Sequence, residues 1–174
     1  INTVVLSNAA TSGGGVYVQR GGVTLSGGQI ASNTAQYNGG GVYVYASTAA
    51  FTQTGVSTIT RNTANNSRGG GVYVYSGTAT LSGGQIASNT ASSDGGGVYV
   101  YLGRATLSGG QVAYNAADFG GGVSVGSGST TLTGGQIDHN AANGAGGGVC
   151  VWDSTAVFTP VSYTHLTLPT NREV

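Results

Sequence analysis

Apolar and polar residues alternate along this chain in short stretches, and the alternation recurs at a near-constant interval. The motif Gly-Gly-Gly-Val-x-Val begins at Gly13, Gly39, Gly69, Gly95, Gly120 and Gly146, in steps of 26, 30, 26, 25 and 26 residues. Twelve places after each start stands a large apolar residue: Leu25, Phe51, Leu81, Leu107, Leu132 or Phe158. Then come Ile30, Ile59, Ile86, Val112 and Ile137, each followed three residues later by Asn33, Asn62, Asn89, Asn115 or Asn140. Val5 and Asn8 read as the end of an earlier copy. Period-two segments between Gly- and Ser-rich turns predict strands, and no window carries the three-and-four spacing of a helix. A repeat of this length with three short strands predicts an all-β chain wound into a parallel β-helix (β-solenoid) of about six coils. At about 4.8 Å per coil the rod would be roughly 29 Å long.

Comparing copies sorts inside from outside. Both valines of the motif are invariant, from Val16 and Val18 to Val149 and Val151, whereas the residue between them runs Tyr17, Tyr43, Tyr73, Tyr99, Ser124, Cys150. A close-packed interior restricts size and polarity, so the valines are assigned to the lumen and the variable column to the outer wall. Two residues on, a second outward column reads Gln19, Tyr45, Tyr75, Tyr101, Gly126, Trp152. The asparagines are expected to form a ladder of amides up and down the stack. The arc from triple glycine to large apolar residue has constant length, so insertions are expected in the Leu-to-Ile arc of copy two and in the Asn-to-Gly turn. An outward Thr/Ser ladder, Thr24/Ser26, Thr80/Ser82, Thr106/Ser108 and Thr131/Thr133, reads as interrupted by Ala50 and Val157.

Composition narrows the partners. The 174 residues include 34 glycines, two prolines and only 6% charged residues, with zero formal net charge. Such neutrality favours neither nucleic acid nor an anionic membrane surface. Low charge argues against a disordered segment, and glycine without a three-residue period argues against collagen. One cysteine, Cys150, forbids an internal disulfide framework. No apolar run is long enough for a membrane helix, so no insertion is expected within this segment.

Residues with chemical potential are sparse. Asp94 and Asp118 fall in Asn-to-Gly turns of adjacent coils, where paired carboxylates could hold calcium, although turn chemistry accounts for them equally. Asp138-His139 has only Ala113 and Tyr114 beside it, and Cys150 has no base placed next to it. The Gly-Gly pairs, such as Gly83-Gly84, lack the lysine and helix of a phosphate loop and read as turns. No catalytic, metal-binding or cofactor-binding residue is expected, and the chain reads as a non-enzyme. What stands out is the aromatic wall: Tyr43, Tyr45, Tyr73, Tyr75, Tyr99 and Tyr101 would tile one face over three coils. Contiguous aromatic surface suits a glycan or a partner protein, and equally suits cross-strand stabilisation of the sheet.

The pairing of Gly69–Val72 with Ile86–Asn89 resembles the GGA(I/V/L) and FxxN repeats of chlamydial polymorphic membrane proteins, and more broadly the right-handed β-helix passengers of bacterial adhesins and autotransporters. That resemblance covers residues 1–160 and implies a right-handed winding, further coils of the same chain, an extracellular or cell-surface location and an adhesive role. The alternative is a piece of a pectin-lyase-like, carbohydrate-active β-helix whose catalytic coils lie elsewhere. Residues 161–174 break every column. The run Val161–Thr170 resembles a translated sequencing-library adapter, so this tail is expected to be foreign to the repeat domain.

Overall fold

A computed structural model of the chain describes residues 3–161; the tail reading therefore falls, Val161 aside, outside the described residues. All strand pairing is parallel, and three sheets run the length of the stack. The first holds the motif strands Val16–Val18, Val42–Val44, Val72–Val74, Val98–Val100, Val123–Val125 and Val149–Val151, in uninterrupted register. The second takes both the Leu and the Ile segments, which in coils four and five fuse into Arg104–Ala113 and Ser129–Asp138. The third side is narrow: two-residue strands such as Thr34–Ala35 and Thr63–Ala64 directly after each asparagine. The chain is thus a three-sided β-solenoid of about six turns, as its periodicity predicts.

The lumen is filled by like residues above like. Val42, Val44, Val72, Val74, Val98, Val100, Val123 and Val125 are fully buried, joined by Ile30, Ile59 and Ile86 and by Leu25, Leu81 and Leu107. Each such side chain contributes about 1.5–3 kcal/mol of burial. Beneath the narrow side the column is alanine: Ala35, Ala64, Ala91 and Ala117 are all buried.

The asparagine ladder is present as expected. From Asn8 to Asn140, each Nδ2 donates to the next Oδ1 at 2.9–3.0 Å, and each of those Oδ1 atoms also accepts the preceding backbone N–H. What turns the chain into it is a residue the pattern did not reveal. Ser32, Arg61, Ser88, Tyr114 and His139, immediately before the ladder, all lie in the left-handed region with φ of 51–57°. That one-residue corner separates the second sheet from the third. Within the triple glycine, Gly69 has φ 69°, while a Cβ on Gly70 would lie 2.5 Å from the carbonyl oxygens of Thr90 and Gly96.

Two expectations need correction. Phe51 does not share a column with Leu25 and Leu81; it pairs with Val23 and Ala79, and Gln53 takes the leucine place. Phe158 likewise pairs with Thr130, and Pro160 with Leu132. Two extra residues in the corner after the motif strand shift the register in both coils, closed by turns in which Ala49 N–H donates to Ala46 and Ala156 N–H to Asp153. The first arc is therefore not constant in length. For the same reason the threonine ladder is unbroken, since Thr52 and Thr159 fill the places assigned to Ala50 and Val157.

Candidate ligand-binding face and its notch

The outer side of the first sheet carries both aromatic columns. Strand register stacks Tyr17, Tyr43, Tyr73, Tyr99, Ser124 and Cys150. Corner hydrogen bonds continue the second column, with Tyr45, Tyr75, Tyr101, Gly126 and Trp152 donating their N–H groups to Val18, Val44, Val74, Val100 and Val125.

The six tyrosines singled out from sequence do lie together, but they do not tile a surface. Tyr43, Tyr73 and Tyr99 are outside the lumen yet only 3–6% exposed. They are walled by the glycine turn on one side, where the Gly69 position meets the Cβ of Tyr73, and by the second tyrosine column on the other. Burial pushes all three phenols up, and neighbouring phenols add to the effect for Tyr43 and Tyr73. The second column is more open, but its rings pack on each other: Tyr45 stacks on Tyr75 at 5.4 Å and 18°, and Tyr75 meets Tyr101 tilted, at 5.5 Å and 34°. Rings stacked face to face offer solvent mainly their edges.

The ladder stops at coil five, where Ser124 and Gly126 replace the tyrosine pair. There a groove of about 390 Å³ opens between Tyr101 on coil four and Trp152 on coil six. Trp152 is half exposed but firmly placed. Its Nε1 donates to Asp94 Oδ1 at 2.8 Å across two coils, and its ring meets Phe119 edge-on at 4.8 Å. Asp94, 5% exposed, also accepts from Ser93 Oγ at 2.7 Å and from Arg68 Nε at 2.8 Å. The Arg68 guanidinium lies 5.3 Å over the Tyr99 ring. At the groove's other side Asp153 accepts from Thr155 N–H, Thr155 Oγ1 and Ser127 Oγ, which hold its carboxyl below the usual range. Ser124 Oγ is buried without a hydrogen-bond partner among the described residues.

The remaining candidates separate. Asp118 accepts from Asn143, while the Asp94 carboxylate is taken by Ser93, Arg68 and Trp152 and its backbone bridges to Phe119. Asp138 accepts from Gln111 and lies 3.6 Å from His139 Nδ1, while the His139 ring stacks on Tyr114 at 5.1 Å. Burial first, and Asp94 second, push the Cys150 thiol up. Among the described residues no group of three or more His, Cys, Asp or Glu side chains converges as a metal site. Gly27-Gly28 and Gly83-Gly84 turn the chain as expected, whereas Gly109-Gly110 and Gly134-Gly135, read as turns from sequence, lie inside the fused strands; Gly28, Gly84, Gly110 and Gly135 share φ of 75–85°.

Sequence reasoning passed over Arg68, Asp94 and Phe119 as partners. Yet all three directly precede a triple glycine, and the ladder stacks them, with Gly69 N–H donating to Asp94 and Gly95 N–H to Phe119. That shared position, beside a column losing its tyrosines, was the available signal. Compared with protein-family models, curated proteins and solved structures, the chain matches none.

Proposed function

We propose that this chain is a stretch of a structural, adhesive rod, secreted or presented at a cell surface, that holds a glycan against the aromatic side of its first sheet. The observation carrying this reading is the pair Tyr101 and Trp152, which line one groove on either side of the coil whose outward pair is Ser124 and Gly126. Aromatic faces with hydroxyl and carboxylate groups beside them suit the apolar faces and hydroxyls of a sugar ring. Coil stacking supplies reach and rigidity, and the resemblance of the repeats to surface-displayed β-helices supports the location.

The test is a glycan-array screen of the whole chain, followed by calorimetry on any hit. Tyr101→Ser and Trp152→Leu are each expected to weaken binding at least about tenfold, as loss of an aromatic anchor does, while thermal unfolding confirms an intact solenoid. Binding that survives both substitutions would sink the proposal.

A further inference from the structure

The groove has a polarity of its own. Its ionisable groups besides the two phenols are Arg68, Asp94 and Asp153. Arg68 and Asp94 neutralise each other through their 2.8 Å contact. Asp153 has no basic partner among the described residues, and four donors favour its ionised form. The groove therefore carries one uncompensated negative charge beside the rings of Tyr101, Trp152 and Phe119. It already displays the contact it would offer, since Arg68 sits over the face of Tyr99.

A compact organic cation is attracted both by an aromatic face and by a neighbouring carboxylate, and the attraction grows as water is excluded. An anionic group would meet Asp153 and the already satisfied Asp94. Preorganisation favours binding further: Trp152 is fixed by Asp94 and Phe119, and Asp153 by Thr155 and Ser127, so little side-chain freedom is lost.

We infer that the notch between Tyr101 and Trp152 is a binding site for an alkylated or primary ammonium group, with Asp153 as its counter-ion. The inference rests on the notch being a binding site but not on its ligand being a glycan. The cation could be a quaternary ammonium substituent or the amine of an amino sugar.

Trp152 is the chain's single tryptophan, so its fluorescence reports on the notch directly. The whole chain is titrated with choline, with the neutral isostere 3,3-dimethylbutan-1-ol, with glucosamine and with N-acetylglucosamine. Choline is expected to saturate the signal at least about tenfold more tightly than its isostere, within the span of a cation–π contact. Glucosamine binding better than its acetylated form would point to an amino sugar as the source; the reverse preference for choline would point to a quaternary substituent. Equal response to charged and neutral partners overturns the inference, and N-acetylglucosamine binding alone overturns it while sparing the glycan proposal. Asp153→Asn, at an exposed position, should weaken choline about threefold, the scale of one solvent-exposed ion pair. Gly126→Tyr refills the column and should abolish the response, because its Cβ would point toward Tyr101 Cδ2 and Tyr99 Oη. Choline binding unchanged in both variants also overturns the inference.

Discussion

Phe51 stacks directly on Ala79, two places along the strand from Leu81, and it is the largest side chain fully enclosed by the solenoid. Its column neighbours Ala79 and Val23 are smaller and leave the room that the ring fills. Phe51→Ala should therefore open a void that neighbours on a rigid stack cannot close. A loss of about 3–5 kcal/mol is expected, measured by chemical denaturation.

Gln53 occupies the leucine place in the same coil, fully buried, with Nε2 donating to the carbonyls of Ser57 and Gln85 and Oε1 left without a partner. Ser57 keeps the Gln85 N–H when the amide is removed. Gln53→Leu restores the column of Leu25 and Leu81 and removes an orphaned acceptor. It should raise the denaturation midpoint, by about 1 kcal/mol in stability.

Asn89 both gives and receives within the ladder, serving Asn62, Asn115 and the Ile59 carbonyl. Asn89→Ala strands several buried groups at once and should cost more than about 3 kcal/mol. The same change at exposed Asn8, the ladder's first rung, should cost about 1 kcal/mol. Equal effects at the two positions would contradict a cooperative ladder.

Ser88 turns the corner with φ 56°. Ser88→Val places a β-branched residue in the left-handed region and should cost about 1–2 kcal/mol, whereas Ser88→Asn should be close to neutral. Thermal unfolding of the two variants separates backbone conformation from side-chain contacts, because both alter the same exposed side chain.

Tyr43, Tyr73 and Tyr99 have phenols pushed up by burial. The neutral form is favoured in the fold, so the unfolded chain loses these protons first as pH rises. Their contribution is complete below the unfolded value of about 10 and falls as pH climbs above it. Ultraviolet titration should show these three phenols ionising together with alkaline unfolding, and ionisation of all three in the still-folded chain would contradict their burial.

Much of this architecture was legible because a solenoid repeats its own evidence. Invariance of Val16 and Val18 across copies marked the lumen, and the recurrence of Asn33 marked the ladder. Register in coils two and six was misread because counting began at the triple glycine and assumed a constant corner. The correction was written in the chain: Ser47-Thr48-Ala49-Ala50-Phe51-Thr52 matches Ser154-Thr155-Ala156-Val157-Phe158-Thr159, so the two exceptional copies announce a shared insertion. Burial of Tyr43 was not legible, because alternation separates lumen from outer wall but cannot tell which outward residues a neighbouring turn covers. The notch was half legible. Ser124 and Gly126 visibly break the aromatic columns, but only the fold carries Trp152 back two coils to Asp94.

That break has a consequence for how such a rod can diversify. The motif valines and the asparagine rung of coil five match those of its neighbours, while its outward pair differs. A concavity here arises by subtraction, like a missing tooth in a comb, with no loop added and no interior contact disturbed. Any coil flanked by aromatic neighbours could host one after two substitutions. The position of a recess along the fibre axis, and the number of recesses, can then drift without rebuilding the valine lumen or the asparagine rungs.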